Sequence, residues 1–164
     1  MALLPILKYP HPLLEQASTA IAAWDEHLKA LVTDMFETMY RAKGLGLAAI
    51  QVAVPLRVFV ADVGRERRQP QVFINPRIVK QSGQIDSVEG CLSYPGFEGL
   101  VRRSARVRVE AWDLEHKKFS VNASALGARV MQHEIDHLDG ILFMRKAVPG
   151  TVQAVEKKSG NAAG

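Results

Sequence analysis

The stretch NASALGARVMQHEIDHLDG, residues 122–140, carries the most regular pattern of the chain. Four of its side chains recur at intervals of three or four residues, as on one face of an α-helix: Leu126, Val130, His133 and His137. Asn122 or Ser124 can cap such a helix, and Gly140 is a natural end for it. The stretch therefore predicts a helix that presents two histidines on the same face as apolar side chains.

The segments before it predict one more helix and several strands. Residues 25–42 place apolar side chains at helical spacing, with Asp25 as a candidate N-cap and Gly44 beyond the end. Three extended segments are rich in β-branched residues and bounded by Gly, Pro or Asp: residues 58–63, 72–79 and 101–112. A fourth, residues 119–121, can pair back across the turn before it. We expect an α+β fold of mostly antiparallel sheets packed around the second helix.

A chain of 164 residues has the size of one domain. We expect residues 1–150 to form this domain and residues 151–164 to form a C-terminal tail. The tail is predicted to begin with a short helix near residues 151–157 and then to be disordered, because its end is small and polar.

Composition excludes several classes of protein. Cys91 is the only cysteine, so no internal disulfide can form. Apolar runs such as residues 45–50 are far shorter than the roughly 20 residues that a membrane span needs. The start of the sequence lacks the basic and apolar segments of a secretory leader. We therefore expect a cytoplasmic protein without a membrane partner.

The net charge of +4 is mild, and basic residues cluster in three places: residues 65–68, residues 102–108, and Lys157 with Lys158. We interpret the clusters as solvated loops and strand faces; a weak attraction to RNA-rich surfaces is the alternative. Aromatic residues are not interleaved with the basic ones as a base-stacking platform requires. The sequence does not predict an enzyme of nucleic acids or direct DNA binding.

The pentapeptide His133-Glu134-Ile135-Asp136-His137 follows the pattern H-E-x-x-H. Histidines at positions i and i+4 lie one helical turn apart and can bind one metal ion. Glu134 lies about 100° further round the helix, where its carboxylate can take a proton from an activated water and pass it to a leaving amine. Such pentapeptides also arise by chance as ordinary helix residues. Here the apolar neighbours favour a metal site, because buried imidazoles without partners are costly.

A hydrolytic metal site needs a third protein ligand and an open position for water. No third histidine or glutamate of the zincin type follows His137, so the best candidate lies upstream. Cys91 stands in a glycine-containing stretch beside strand-like sequence. A lone cysteine is more often a small buried apolar residue, but beside this helix it becomes a plausible soft ligand.

Three segments together resemble the peptide deformylase family. Their sequences are GLGLAAIQ at residues 44–51, EGCLS at residues 89–93 and QHEIDHLDG at residues 132–140. Their order and spacing fit a chain of this length, and the resemblance covers nearly all of it. It implies that residues 1–150 are a catalytic domain of this family.

The resemblance implies roles for matching positions. The metal ligands are Cys91, His133 and His137, and Glu134 is the general acid/base. The Gln51 side chain and the backbone N–H of Leu92 donate to the developing oxyanion. One divalent ion is expected, usually Fe²⁺, with Zn²⁺, Ni²⁺ or Co²⁺ able to replace it.

The resemblance also implies a substrate, the N-formyl-methionyl end of a newly made polypeptide, which is hydrolysed to formate and a free amine. Gly44 and Gly46 let a peptide backbone approach closely. The other expected substrate-binding residues line an apolar methionine pocket: Leu45, Leu126, Arg129 and Val130. Because the substrate is a nascent chain, the ribosome is an expected partner.

Four residues depart from the usual family pattern: Arg129 in the pocket, Tyr94 after the second motif, and Lys43 and His11 where acidic residues are frequent. The Arg129 stem can still cover the pocket while its head reaches solvent or a peptide carbonyl. A further hypothesis is that Glu89 and Arg103 form an ion pair that holds the cysteine loop.

Two other functions fit parts of the pattern. A zinc aminopeptidase or endopeptidase predicts a third ligand after His137, where Asp139 is the available residue. A structural metal site predicts four protein ligands, and no second cysteine is present. The remaining histidines are interpreted as surface or turn residues: His11, His27 and His116.

Overall fold

The computed structural model describes residues 2–64, 66 and 68–155. Two α-helices lie in this part of the chain, α1 (Glu26–Arg41) and α2 (Ala125–Leu138). The strands are β1 (Gly46–Ala48), β2 (Val58–Ala61), β3 (Gln71–Ser82), β4 (Ile85–Cys91), β5 (Tyr94–Arg103), β6 (Arg106–Trp112), β7 (Lys118–Ser124) and β8 (Gln153–Ala154).

Both predicted helices form, but only the first begins with a side-chain cap bond. The Asp25 carboxylate accepts a hydrogen bond from the Leu28 N–H at 3.0 Å, which confirms it as the N-cap of α1. Ser124 occupies the N-cap position of α2 without a side-chain cap bond, and Asn122 lies inside β7. Gly140 follows the end of α2 at a φ of +77°, a left-handed conformation that favours glycine.

The strands form two antiparallel sheets. One has the order β1-β2-β3-β6-β7 and the other the order β4-β5-β8. The predicted return of residues 119–121 is confirmed, since Phe119 pairs with Ala111 in the β6–β7 ladder. The extended segment 101–112 divides at Ser104 and Ala105, because β5 and β6 belong to different sheets.

The five-stranded sheet lies between the two helices. Alternate side chains of β2 and β3 point to opposite faces. Phe59 and Phe73 pack in the cluster that contains Met131 and Ile135 of α2. Val58, Val60 and Ile74 pack with α1 through Val32, Met35 and Met39. Residues 130–138 of α2 are all buried, which confirms the prediction of sheets packed around a central helix.

The predicted helix at the start of the C-terminal tail is wrong for the described residues. Gln153 and Ala154 form β8 and pair with Glu98 and Phe97 of β5. Backbone hydrogen bonds to an available strand edge outweigh the weak local helix preference of so short a segment. Residues 156–164, predicted to be disordered, lie outside the described part. Within that part, no helix combines the length and apolar character of a membrane span.

Candidate metal centre

Three potential metal ligands converge from two elements. Cys91 is the last residue of β4, and His133 and His137 lie one turn apart on α2. The Nε2 atoms of the two histidines are 3.2 Å apart, and Cys91 Sγ lies 3.4 Å from His137 Nε2. All three side chains are buried. Residues that are distant in sequence therefore present one sulfur and two nitrogens to a common point.

These distances fit a bound divalent ion. Tetrahedral coordination with metal–nitrogen bonds of roughly 2.0–2.1 Å and a metal–sulfur bond of about 2.3 Å separates two nitrogens by about 3.3 Å, and nitrogen from sulfur by about 3.6 Å. Burial alone would raise the pKa of the Cys91 thiol, but the charge of His137 and hydrogen bonds from both histidines lower this pKa to about 6. The thiolate, which is the metal-binding form, is therefore favoured.

Glu134 is completely buried beside these ligands. Neither of its carboxylate oxygens has a hydrogen-bond partner among the described residues. Burial raises the pKa of Glu134 to about 7, against the opposing effects of the two histidines. A Cβ on Gly46 would lie 2.7 Å from Glu134 Oε2, so the glycine provides the space that this carboxylate occupies. A buried carboxylate without partners is costly unless a ligand uses it.

A buried charge network holds the centre from behind. Glu89 Oε1 lies 3.0 Å from His133 Nδ1 and accepts a hydrogen bond from Arg103 at 2.8 Å. Arg103 also donates to Asp136 at 2.8 Å. Burial would raise the pKa of Glu89, but Arg103 and His133 lower it to about 2. The hypothesised Glu89–Arg103 pair is thus present, and it orients one histidine as carboxylates behind metal sites do.

Replacing Arg103 with alanine is expected to destabilise the fold by about 3–5 kcal/mol, because it leaves Glu89 buried without its cation. Metal affinity should fall roughly 10–100-fold, since Arg103 no longer fixes the position of Glu89, the partner of His133. Urea unfolding and metal titration measure the two effects. Arg102→Ala is the matched control, because Arg102 pairs with Asp86 at the surface; it should change neither quantity. An Arg103→Ala protein with unchanged stability and metal content would refute the role.

The Gln51 side chain lies next to the cysteine. Its Nε2 donates to Ser93 Oγ at 3.0 Å and lies 3.8 Å from Cys91 Sγ. Its Oε1 accepts from the Ala48 N–H at 2.9 Å, which fixes which end of the amide faces the sulfur. The Gln51 amide is therefore held rigidly at the edge of the ligand cluster. Leu92 follows Cys91 directly, and Gly44 leaves room for its side chain, because a Cβ on Gly44 would lie 2.7 Å from Leu92 Cδ1.

A pocket of about 240 Å³ opens beside the centre. Its lining includes all four residues predicted for the methionine pocket, Leu45, Leu126, Arg129 and Val130, together with Val88, Glu89 and Gly90 of β4. Arg129 donates to the Val88 carbonyl at 3.2 Å, so its head reaches a backbone oxygen of β4. Gly44 and Gly46 flank Leu45 but are not part of the lining. The lining is mixed: Leu45, Val88, Leu126 and Val130 are apolar, whereas Glu89, whose carboxylate is already paired, and Arg129 are charged.

The candidate third ligand of the peptidase alternative lies elsewhere. Asp139 forms an ion pair with Arg57 at 3.0 Å, and the metal-ligand group of the described residues contains Cys91 instead. Among the departures, Tyr94 stacks on Phe97 with ring centroids 4.6 Å apart. His11 caps a short 3-10 turn by accepting from the Leu13 N–H. Lys43 adopts a positive φ of 60° after α1.

Sequence reasoning assigned no role to two residues of the centre. The Ser93 N–H donates to Cys91 Sγ at 3.4 Å, and its hydroxyl holds Gln51. Asp136 joins Arg103 to Lys146, whose Nζ lies 3.0 Å from Asp136 Oδ1. Ser93 lies in the segment EGCLS and Asp136 in the segment QHEIDHLDG, so the sequence places both next to candidate ligands. Their contacts depend on how β4 and β5 pack against α2.

Comparisons with known proteins show the family of the chain. The family model for polypeptide deformylase matches residues 3–153. A peptide deformylase of Neisseria gonorrhoeae is 48% identical over 146 residues, which cover 89% of this chain and 87% of that one. The solved peptide deformylase of Legionella pneumophila has a TM-score of 0.87 and 40% identity, covering 90% of this chain and 87% of that one.

A solved peptide deformylase of Ehrlichia chaffeensis in complex with actinonin also has a TM-score of 0.87, with 37% identity, and the match covers 91% of each chain. Sequence and fold thus agree over nearly the whole length of the chain. On these grounds, the chain belongs to the polypeptide deformylase family.

Proposed function

We propose that the centre formed by Cys91, His133, His137 and Glu134 removes the formyl group from N-terminal formyl-methionine. Deformylation of new polypeptides is the activity of the family to which the chain belongs. The observation that carries the assignment to these residues is the Glu134 carboxylate. It is buried and has no hydrogen-bond partner among the described residues, beside three side chains spaced for one metal ion.

The family consists of metalloenzymes, and a bound divalent ion activates water and polarises the formyl oxygen. Cys91, His133 and His137 would hold it. We propose Fe²⁺ as the native ion, as the resemblance to the family implies. One thiolate and two imidazoles suit ferrous iron and zinc alike. Zn²⁺, Ni²⁺ and Co²⁺ share this ligand preference and are the expected replacements.

Protein side chains divide the remaining work. The Gln51 amide and the Leu92 N–H donate to the formyl oxygen, on which negative charge grows as water attacks the formyl carbon. Glu134 takes a proton from that water. When the carbon–nitrogen bond breaks, Glu134 returns the proton to the amine, and formate and a free α-amino group leave. The pocket beside the centre holds the methionine side chain, whose flexible thioether suits the walls formed by Leu45, Leu126 and Val130.

The substrate main chain would run past Gly44 and Gly46, where the absence of a Cβ allows close approach. The partner we propose is therefore a nascent N-formyl-methionyl polypeptide at the ribosome in the cytoplasm, with residues 1–150 as the catalytic unit. Arg129 replaces an apolar residue at the pocket wall and adds a guanidinium near the first residues of the substrate.

Formate release from a formyl-Met tripeptide under anaerobic conditions tests the proposal. Protein loaded with Fe²⁺, Ni²⁺ or Zn²⁺ should release one formate for each new amine. The same tripeptide without the formyl group is the control, and it should yield no amine. Amine release from that control, without formate from the first substrate, would identify a peptidase instead.

Replacing Gln51 with leucine is expected to lower kcat about 10²–10³-fold, because one donor to the developing oxyanion is lost. Metal content should stay at that of the wild type, since Gln51 is not a ligand. Steady-state kinetics and metal analysis measure both. Gln84→Leu, at an exposed position, is the control for the chemical change. An effect on KM alone would contradict the proposed role.

A further inference from the structure

One face of the five-stranded sheet carries three cations outside any ion pair among the described residues. They are Lys80 on β3 and Arg106 and Arg108 on β6, and all three are exposed. Every ion pair of this part of the chain involves other cations. The nearest paired groups along the strands are Arg77 and Glu110. Positive charge on this face is therefore not neutralised.

The strand pairing fixes where these cations point. Val107 and Val109 of β6 pack in the cluster of α2, so Arg106 and Arg108 point to the opposite face. At the far end of β6, Trp112 packs on that opposite face with the cluster of α1. Helix α1 thus covers one end of the face and leaves the end with the arginines exposed.

Two of the cations stand directly opposite each other. Lys80 is the cross-strand partner of Arg108, and Arg108 is in turn opposite Asn122 of β7. Like charges in such positions destabilise a sheet. The neighbouring row places Arg106 between Ser82 and Ser124. The sheet therefore tolerates a repulsive pair that one acidic residue would relieve.

One groove of about 440 Å³ is lined by nine residues. Six of them form what we call the basic face: Lys80, Ser82, Arg106, Arg108, Asn122 and Ser124; the other three are Gln81, Val107 and Ala123. Each of the six offers hydrogen-bond donors and none is a carboxylate. Arg106 and Arg108 each donate one hydrogen bond to a serine hydroxyl. Because a guanidinium carries five N–H donors in all, further donors remain for a ligand. The groove has no aromatic residue on which a base could stack.

We propose that the basic face binds the sugar–phosphate backbone of RNA without regard to sequence. Arginine, lysine, serine and asparagine are the side chains that contact phosphate and sugar oxygens. Without aromatic side chains, the groove has no platform for reading or stacking bases. Its lining also lacks the aromatic, leucine and isoleucine side chains that enter a lipid interface. This inference does not depend on the metal centre, which lies on the other side of the sheet with α2.

Fluorescence anisotropy with a labelled 20-nucleotide poly(U) RNA tests the proposal on the full chain. Three cation–phosphate contacts predict a slope of about −2 for log K against log salt, at roughly 0.7 per contact for a single strand. The double variant K80E/R108E should bind about tenfold or more weakly, and its slope should shrink by about 1.4. Poly(A) of equal length should bind within a few-fold of poly(U). Formate release should remain at the wild-type rate.

A single substitution separates binding from folding. Lys80→Glu places a carboxylate opposite Arg108, so Tm should rise by about 1–3 °C while RNA affinity falls. A variant that simply folds poorly would lose both. The control for the double variant is K29E/K117E, which changes the net charge by the same amount as K80E/R108E at exposed positions on α1 and in the β6–β7 turn.

Three results would overturn the proposal. The first is no RNA binding by the wild type at 50 mM salt. The second is equal weakening by K29E/K117E, which would mean a net-charge effect only. The third is binding to vesicles of phosphatidylglycerol and phosphatidylcholine in place of RNA, which would make the face a lipid contact.

Discussion

Replacing Glu134 with glutamine is expected to lower kcat/KM about 10²–10⁴-fold while the protein keeps its metal. Glutamine preserves the shape of the side chain but cannot take a proton from water and return it to the amine. The proposed ligands Cys91, His133 and His137 are unchanged, so affinity for the ion should persist. Formate release and metal analysis of the same preparation measure the two quantities.

The thermal stability of Glu134→Gln provides a second, independent test. The Glu134 oxygens are buried without partners, so removing their charge should leave Tm unchanged or raise it. Glu115→Gln, the same chemical change at an exposed position, is the control and should behave as the wild type. If Glu134→Gln retained activity within tenfold of the wild type, Glu134 would not be the proton carrier.

Replacing Cys91 with alanine is expected to abolish stoichiometric metal binding and with it formate release. Two histidines one turn apart remain, but a two-ligand site holds a divalent ion far more weakly than a three-ligand site. The loss should exceed the roughly 10–100-fold cost of removing an outer partner such as Arg103. Metal content after dialysis and titration calorimetry with Zn²⁺ and Ni²⁺ measure the change.

The matched control removes a histidine that is not a ligand. His27 is exposed on α1, so His27→Ala should retain one equivalent of metal and full activity. Far-UV circular dichroism of metal-free Cys91→Ala should match metal-free wild type, because Cys91 is one small member of a small apolar cluster. A Cys91→Ala protein that still holds one ion and releases formate would mean that the third ligand is another group.

Local geometry explains why much of the centre was predictable. An α-helix sets the angle between His133, Glu134 and His137 whatever surrounds it, so the pentapeptide alone predicted their relation. The cap at Asp25 and the return of residues 119–121 also rest on short-range rules. The resemblance to the family added Gln51 and Leu92, whose positions depend on the packing of whole strands.

Other features depend on pairing between distant segments. The sequence pattern predicts one extended segment at residues 101–112, but Ser104 and Ala105 separate β5 from β6, which belong to different sheets. Residues 153–154 became strand β8 because the edge of β5 was available to them. The contacts of Asp136 with Arg103 and Lys146 likewise require β5 and the segment after α2 to meet.

The sequence by itself determined the helix that carries two histidines and a glutamate, the α+β class and the candidate ligands. Only the tertiary structure decided that Cys91 lies 3.4 Å from His137, that Glu134 is buried without a partner, and that Lys80 faces Arg108. Helical periodicity acts between residues three or four apart, so a single sequence displays it. Burial and cross-strand register are properties of chain segments brought together by folding, and no local pattern of residues specifies them.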